Sequence, residues 1–235
     1  MRNARTLELK TLLGSLQDET GPARIALGHL AADECLGGGL VPGALHEVFA
    51  ATARASVAAS GFALLLAARM LGEHKGLLWV CQDFSALETG ETHGNGLVEL
   101  GIDPARVLMV RAPNAKAVLR AGAEGLSCRG MAAVLLEPWD AANVFDLTAS
   151  QRLTLAARQR GISVIALRAG SVPEPSAAQT RWMIEAAPSP INTQEWGAPV
   201  FDAALVRNRR GETGRWRMQW DCNNGTFCEA YSCAP

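Results

Sequence analysis

Residues 37–70 read GGGLVPGALHEVFAATARASVAASGFALLLAARM, and this stretch decides the fold. Three glycines mark an entry, Ala44 to Phe49 is a short apolar strand, residues 50–57 form a loop, and a long apolar helix follows. Strand, loop and helix in that order are where a phosphate-binding loop sits in a nucleotide-binding α/β domain. Such a loop needs G-x-x-x-x-G-K-[ST]: glycines let backbone N–H groups close around phosphates, and the lysine reaches the terminal ones. Here it reads Ala50-Ala51-Thr52-Ala53-Arg54-Ala55-Ser56-Val57, with alanine at both glycine positions and Ser56 where the lysine belongs. The frame of a nucleotide site is present without its chemistry.

Downstream, apolar strands are expected at Gly76–Cys81, Arg106–Arg111, Met131–Leu136 and Ile162–Leu167. Helices are expected at Asn114–Cys128 and Thr148–Arg160, the latter with Thr148 or Ser150 as N-cap and Gly161 as C-cap. Apolar strands alternating with helices predict a mostly parallel sheet covered on both faces, an α/β fold. After Arg168 the texture changes. Segments at Thr180–Ala186, Val200–Val206 and Trp216–Trp220, with the turn Asn223-Asn224-Gly225, read as antiparallel strands added at the C-terminal edge. Leucines at helical spacing over residues 3–17 predict an amphipathic helix, docked in cis or on a neighbour. The expected organisation is an N-terminal arm over 1–20, one domain over 21–228 and a short tail over 229–235.

A chain of 235 residues, 49% hydrophobic and 19% charged, buries a sizeable core. Its formal net charge of −1 gives no global attraction to polyanions, so any nucleic-acid site is a local patch. The N-terminus lacks an apolar signal region, and the run Ala55–Leu71 is too short to span a bilayer and carries Arg69. A cytoplasmic protein without membrane contact is expected. Six cysteines form no C-x-x-C pair and four histidines stand isolated, so no metal site is expected.

The segments Gly43–Phe49, Leu97–Pro104 and Val206-Arg207-Asn208 resemble the RecA-type ATPase core. More closely, GGGLVPGALHEV, LGIDPARVLMVRA, DLTASQRL, SAAQTRW and WGAPVFDAALVRNRRGETGRWRMQW resemble the ImuA family over about residues 25 to 228. The resemblance implies a RecA-like domain that acts as an accessory protein of SOS-induced, error-prone translesion synthesis rather than as a recombinase. It also implies a partner, an ImuB-type inactive Y-family polymerase homologue, and through it an error-prone replicative-type polymerase. Two other classes stay open: a DNA-stimulated ATPase with a non-standard phosphate loop, and a regulator of RecA filaments. A SulA-type division inhibitor is a weaker third.

Losing the loop lysine removes a charge-assisted phosphate contact worth about 1.5–3 kcal/mol. Arg54 reads as a solvent-facing loop residue and Ser56 as a helix N-cap. Glu137 and Asp140 follow the fourth strand, where a metal-holding acid would sit, and Glu137 reads as a relic. Asp83 is the nearest carboxylate to the second strand's end, where the recombinase core has a glutamate. These readings give no catalytic residue and no cofactor, with nucleotide binding weak or absent. Arg207, Arg209, Arg210, Arg215, Trp216 and Arg217 form the one electrostatic cluster. Arginines beside an aromatic can grip single-stranded DNA or anchor a protein interface, or simply line a solvated hairpin. The loop from Arg168 to Ser176, with two prolines and a lone Glu174, offers no positive patch.

Overall fold

The computed structural model describes residues 23–72, 75–139, 144–168, 170–189 and 197–230. The expected helix over 3–17, His74, Asp140 and Cys233 lie outside them. Nine strands form one sheet among the described residues: β1 (Leu45–Ala50), β2 (Gly76–Gln82), β3 (Val107–Ala112), β4 (Met131–Glu137), β5 (Ser163–Leu167), β6 (Thr180–Ala186), β7 (Val200–Asn208), β8 (Gly214–Asp221) and β9 (Thr226–Glu229). Their spatial order is β3-β2-β4-β5-β1-β6-β7-β8-β9. All pairings from β3 to β6 are parallel, and those from β6 to β9 are antiparallel. This is the mixed α/β layout expected, compatible with a RecA-like core.

The expected pairing of one strand is corrected. Thr180–Ala186 is not an antiparallel addition: β6 pairs in parallel with β1, Glu47 opposite Arg181. The chain must therefore return from the end of β5 to the start of β6. It does so as an extended strap, since Pro173 and Pro175 forbid a helix there. The strap is tied by Ala177 N–H to the Ser150 hydroxyl (3.0 Å) and by Gln179 N–H to the Leu45 carbonyl (2.7 Å).

Among the described residues six helices flank the sheet: α1 (Leu30–Cys35), α2 (Ser56–Arg69), α3 (Asp83–Thr89), α4 (Gly94–Glu99), α5 (Ala115–Gly125) and α6 (Leu147–Arg160). α2 covers one face, touching β1, β4, β5 and β6, while α5 and α6 cover the other. α2 is apolar nearly all round because the antiparallel strands meet it too. Phe62 lies 5.6 Å from Trp182, 5.4 Å from Phe201 and 5.2 Å from Phe227, ring centre to ring centre. That cluster fastens the added strands to the parallel half.

Caps set the helix ends. Asn114 accepts from Ala117 N–H to begin α5, and Gly161, at φ 66°, ends α6. α6 begins one residue before the expected start. Its cap is Asp146, which accepts from Ala149 N–H, and not Thr148 or Ser150. Ser150 is instead drawn into the strap. Glycines are needed at 122 and 125 of α5 because side chains of Leu136 and Leu78 occupy the space a Cβ would take there.

Phe62→Ala should lower unfolding stability by about 3–5 kcal/mol, since it removes the ring that three strands share. Urea denaturation followed by tryptophan fluorescence measures this; a loss under 1 kcal/mol would show that the added strands are held by other means.

Candidate functional site

The loop after β1 makes a bend at residues 51–52 and a 3-10 turn over Ala53–Ala55, and α2 starts at Ser56. Arg54 is exposed, as its reading predicts. Ser56 does not cap the helix. The N-cap position is Ala55, without a side-chain bond, and the Ser56 hydroxyl donates to the Ala53 carbonyl at 2.8 Å. The 3-10 turn already satisfies the backbone that a capping serine would serve. With Glu88, Trp139 and Arg168, this loop lines a cavity of about 520 Å³.

Glu137, at the end of β4, is 3% exposed and turns toward α2. The Trp79 indole N–H donates to its Oε2 at 3.0 Å. Both line a second cavity, of about 240 Å³, with Ser60, Cys81, His93 and Arg111. Burial drives the Glu137 pKa up to about 7, against the opposing effect of the indole hydrogen bond. Only Val57 lines both cavities, so the acid and the loop open onto different spaces. Asp83 stands exposed in the first turn of α3.

Sequence reasoning missed a cluster of buried charges on the opposite face of the sheet. Glu47, in the middle of β1, is fully buried. Its Oε2 accepts from Arg181 Nε (2.9 Å), Arg181 Nη2 (2.8 Å) and the Ser176 hydroxyl (2.8 Å). Its Oε1 lies 3.4 Å from Arg168 Nη1. Arg168 is 1% exposed, with its guanidinium 4.4 Å from the Phe145 ring centre and 5.6 Å from that of Phe49. The one available signal was the pair His46-Glu47 interrupting an apolar parallel strand. His46 is satisfied on the opposite face by the Thr180 hydroxyl (2.8 Å) and the Val41 carbonyl (3.0 Å). Burial lowers its pKa to about 4.

The arginine-rich hairpin is split by strand alternation. Arg215 and Arg217 project outward, and Arg215 forms a two-bond pair with Asp202 at 2.6 and 2.7 Å that holds the Asp202 carboxyl below its ordinary pKa. Trp216 points the other way, half-buried against Trp182 and His29. Arg209 and Arg210 are exposed at the turn, and Arg209 donates to the Ser176 carbonyl at 3.3 Å. Arg207 is half-buried beside Arg181 and Arg209. The six residues therefore do not share one surface. No group of three or more metal-type ligands occurs among the described residues.

Two variants test this chemistry. Glu47→Gln leaves two buried guanidiniums without an anion and should destabilise the fold by about 3–5 kcal/mol in urea titrations. Glu137 binds its proton more tightly folded than unfolded, so its favourable contribution is whole below pH 4.5 and fades as pH rises through about 7. Glu137→Gln removes that dependence, and the stability of the variant relative to wild type should grow by about 3 kcal/mol between pH 4 and pH 8. His46, whose neutral form is favoured, loses its contribution as pH falls toward 4 in both proteins and cancels in the difference. A difference that stays flat with pH would refute the raised pKa.

No family model matches the chain. It is 33% identical over 211 residues to the protein named Protein ImuA of Caulobacter vibrioides (strain NA1000 / CB15N), an alignment that covers 83% of this chain and 82% of the relative. The same figures hold for Protein ImuA of Caulobacter vibrioides (strain ATCC 19089 / CIP 103742 / CB 15). With a fold compatible with a RecA-like core and this likeness along most of its length, the chain belongs to the ImuA family.

Proposed function

We propose that this protein is an accessory factor of damage-induced mutagenesis that works as an adaptor, binding an ImuB-type inactive polymerase homologue, without ATPase turnover. Family membership is the observation that carries the role. The absence of turnover has separate support in the site. A loop of alanines cannot approach a triphosphate as glycines do, and no lysine follows it. Glu137, half-neutral at pH 7 and bonded to Trp79, is a poor ligand for a hard cation.

The docking surface we favour is the outer face of β7 and β8. Arg215 and Arg217 stand opposite Ala204 and Asp202; Val206, 48% exposed, lies further along β7, and Asp202 offsets part of the charge. Arginine with exposed aliphatic surface suits a protein partner. With Trp216 turned inward, the same face lacks the stacking ring that single-stranded DNA would need. Among the described residues no helix is long and apolar enough to cross a membrane.

The test is co-purification of the full chain with the polymerase homologue, followed by titration calorimetry. Association in the micromolar range or tighter is expected, weakened about tenfold or more by the double variant Arg215→Glu, Arg217→Glu. No association at micromolar concentrations sinks the adaptor role. Binding to RecA filaments instead would favour the regulator.

A further inference from the structure

We infer that the groove between α5 and α6 docks an acidic amphipathic helix supplied by a partner protein. The inference goes beyond the adaptor reading and concerns a different surface. α5 packs over β2, β3 and β4, and α6 over β5 and β1, so the groove lies on the other side of β6 from the β7–β8 face.

Both helices turn the same kind of face to the groove. On α5, Lys116, Leu119, Arg120 and Ala123 follow one another at i, i+3, i+4 and i+7. On α6, Ala149, Arg152, Leu153 and Ala156 repeat that spacing. With Val144 they line a cavity of about 640 Å³. Leu153 is buried, while Leu119, Val144, Ala149 and Ala156 are half-buried, so the floor is apolar. The alanines leave room for the side chains of a third helix to enter between the two. Holding α5 and α6 to the sheet falls largely to other residues, among them Ala115, Val118 and Ala157. Much of the groove face is therefore spare.

The rim of the groove is basic. Lys116 and Arg152 are exposed and form no ion pair with a described residue. Arg120 pairs only with Glu124 of its own helix, at 3.2 Å, with both side chains largely in solvent. Together the two helices carry five bases (Lys116, Arg120, Arg152, Arg158 and Arg160) against one acid, Glu124, in a chain whose formal net charge is −1. Asp146, the cap of α6, has its carboxylate engaged by Ala149 N–H. Positive charge thus flanks an apolar floor on both sides, and the complementary ligand has an apolar ridge flanked by acids.

A helix meets that description better than other ligands do. Single-stranded nucleic acid stacks its bases on exposed rings, and no aromatic residue lines the groove. An added strand needs a free sheet edge, which two helices do not offer. A helix with leucine-type residues at i, i+3, i+4 and i+7 sets them between Leu119 and Leu153. Its glutamates or aspartates then lie beside Lys116, Arg120 and Arg152.

The experiment titrates the purified full chain into a fluorescein-labelled synthetic peptide and follows anisotropy. The peptide has leucines at i, i+3, i+4 and i+7 flanked by glutamates; a second peptide carries lysines in their place. Saturable micromolar binding of the acidic peptide is expected, about tenfold or more tighter than that of the basic one. Ala123→Trp, at an exposed position, fills the groove, and Arg152→Glu reverses the charge on one side. Each should weaken binding about tenfold while retaining the wild-type circular dichroism spectrum. Amide hydrogen exchange should slow on α5 and α6 when the peptide binds, and the double variant Arg215→Glu, Arg217→Glu should bind it as the wild type does. No saturation, equal affinity for the two peptides, or binding unchanged in Ala123→Trp and Arg152→Glu overturns the site. Protection confined to β7 and β8 overturns it as well. Oligothymidylate that displaces the peptide, and binds Ala123→Trp as tightly as wild type, would assign the groove to nucleic acid and overturn the helix. Failure of the polymerase homologue to associate would bear on the adaptor reading alone.

Discussion

The buried Glu47 carboxylate, held between Arg181 and Arg168, ties together three neighbouring strands. Glu47 lies on β1, Arg181 directly opposite on β6, and Arg168 at the end of β5 on the other side. The Ser176 hydroxyl adds the strap to the same knot. Removing charges from water offsets most of their attraction, so the cluster contributes little net stability while any broken member is costly. Its main effect is on register. Sliding β6 by one residue would send Arg181 to the α2 face and leave Glu47 bare. The cluster therefore selects one way for the chain to re-enter the sheet after β5.

Around that knot, the two faces of the sheet carry different duties. The α2 face is a dry aromatic junction, with Phe62 at its centre, joining the parallel half to β7, β8 and β9. The opposite face holds α5, α6 and the buried charges. At the ends of the central strands the loop 50–57 and Glu137 look onto separate cavities. In a nucleotide hydrolase the loop and the acid must meet on one metal and one phosphate chain. Here they open onto different spaces, with only Val57 lining both.

The antiparallel extension carries its charged residues on strands that the aromatic junction ties to the parallel half. Asp202 restrains Arg215 in a fixed geometry through two hydrogen bonds.

Much of the architecture was legible in the residues. The strand at 45–50, the helix behind it, the alternation that followed and the hairpin at Asn223–Gly225 all follow from local periodicity and turn chemistry, which act over a few residues. The empty lysine position is equally local. The sequence alone determined a nucleotide-site frame without its chemistry, and a mostly parallel sheet. Only tertiary structure decided that β6 runs parallel to β1, that Asp146 and not Ser150 caps α6, that Trp216 faces inward, and that Arg168 and Arg181 share Glu47. The strand pairing, the Trp216 packing and the shared carboxylate depend on contacts between residues far apart in the chain; the Asp146 cap is local, but Ser150 is held by the distant Ala177. Strand alternation around Trp216 was readable, but which side would be covered was not. Charges at 47, 168 and 181 look like three unrelated surface residues until the sheet brings them within hydrogen-bonding distance, where low polarity makes their pairing obligatory.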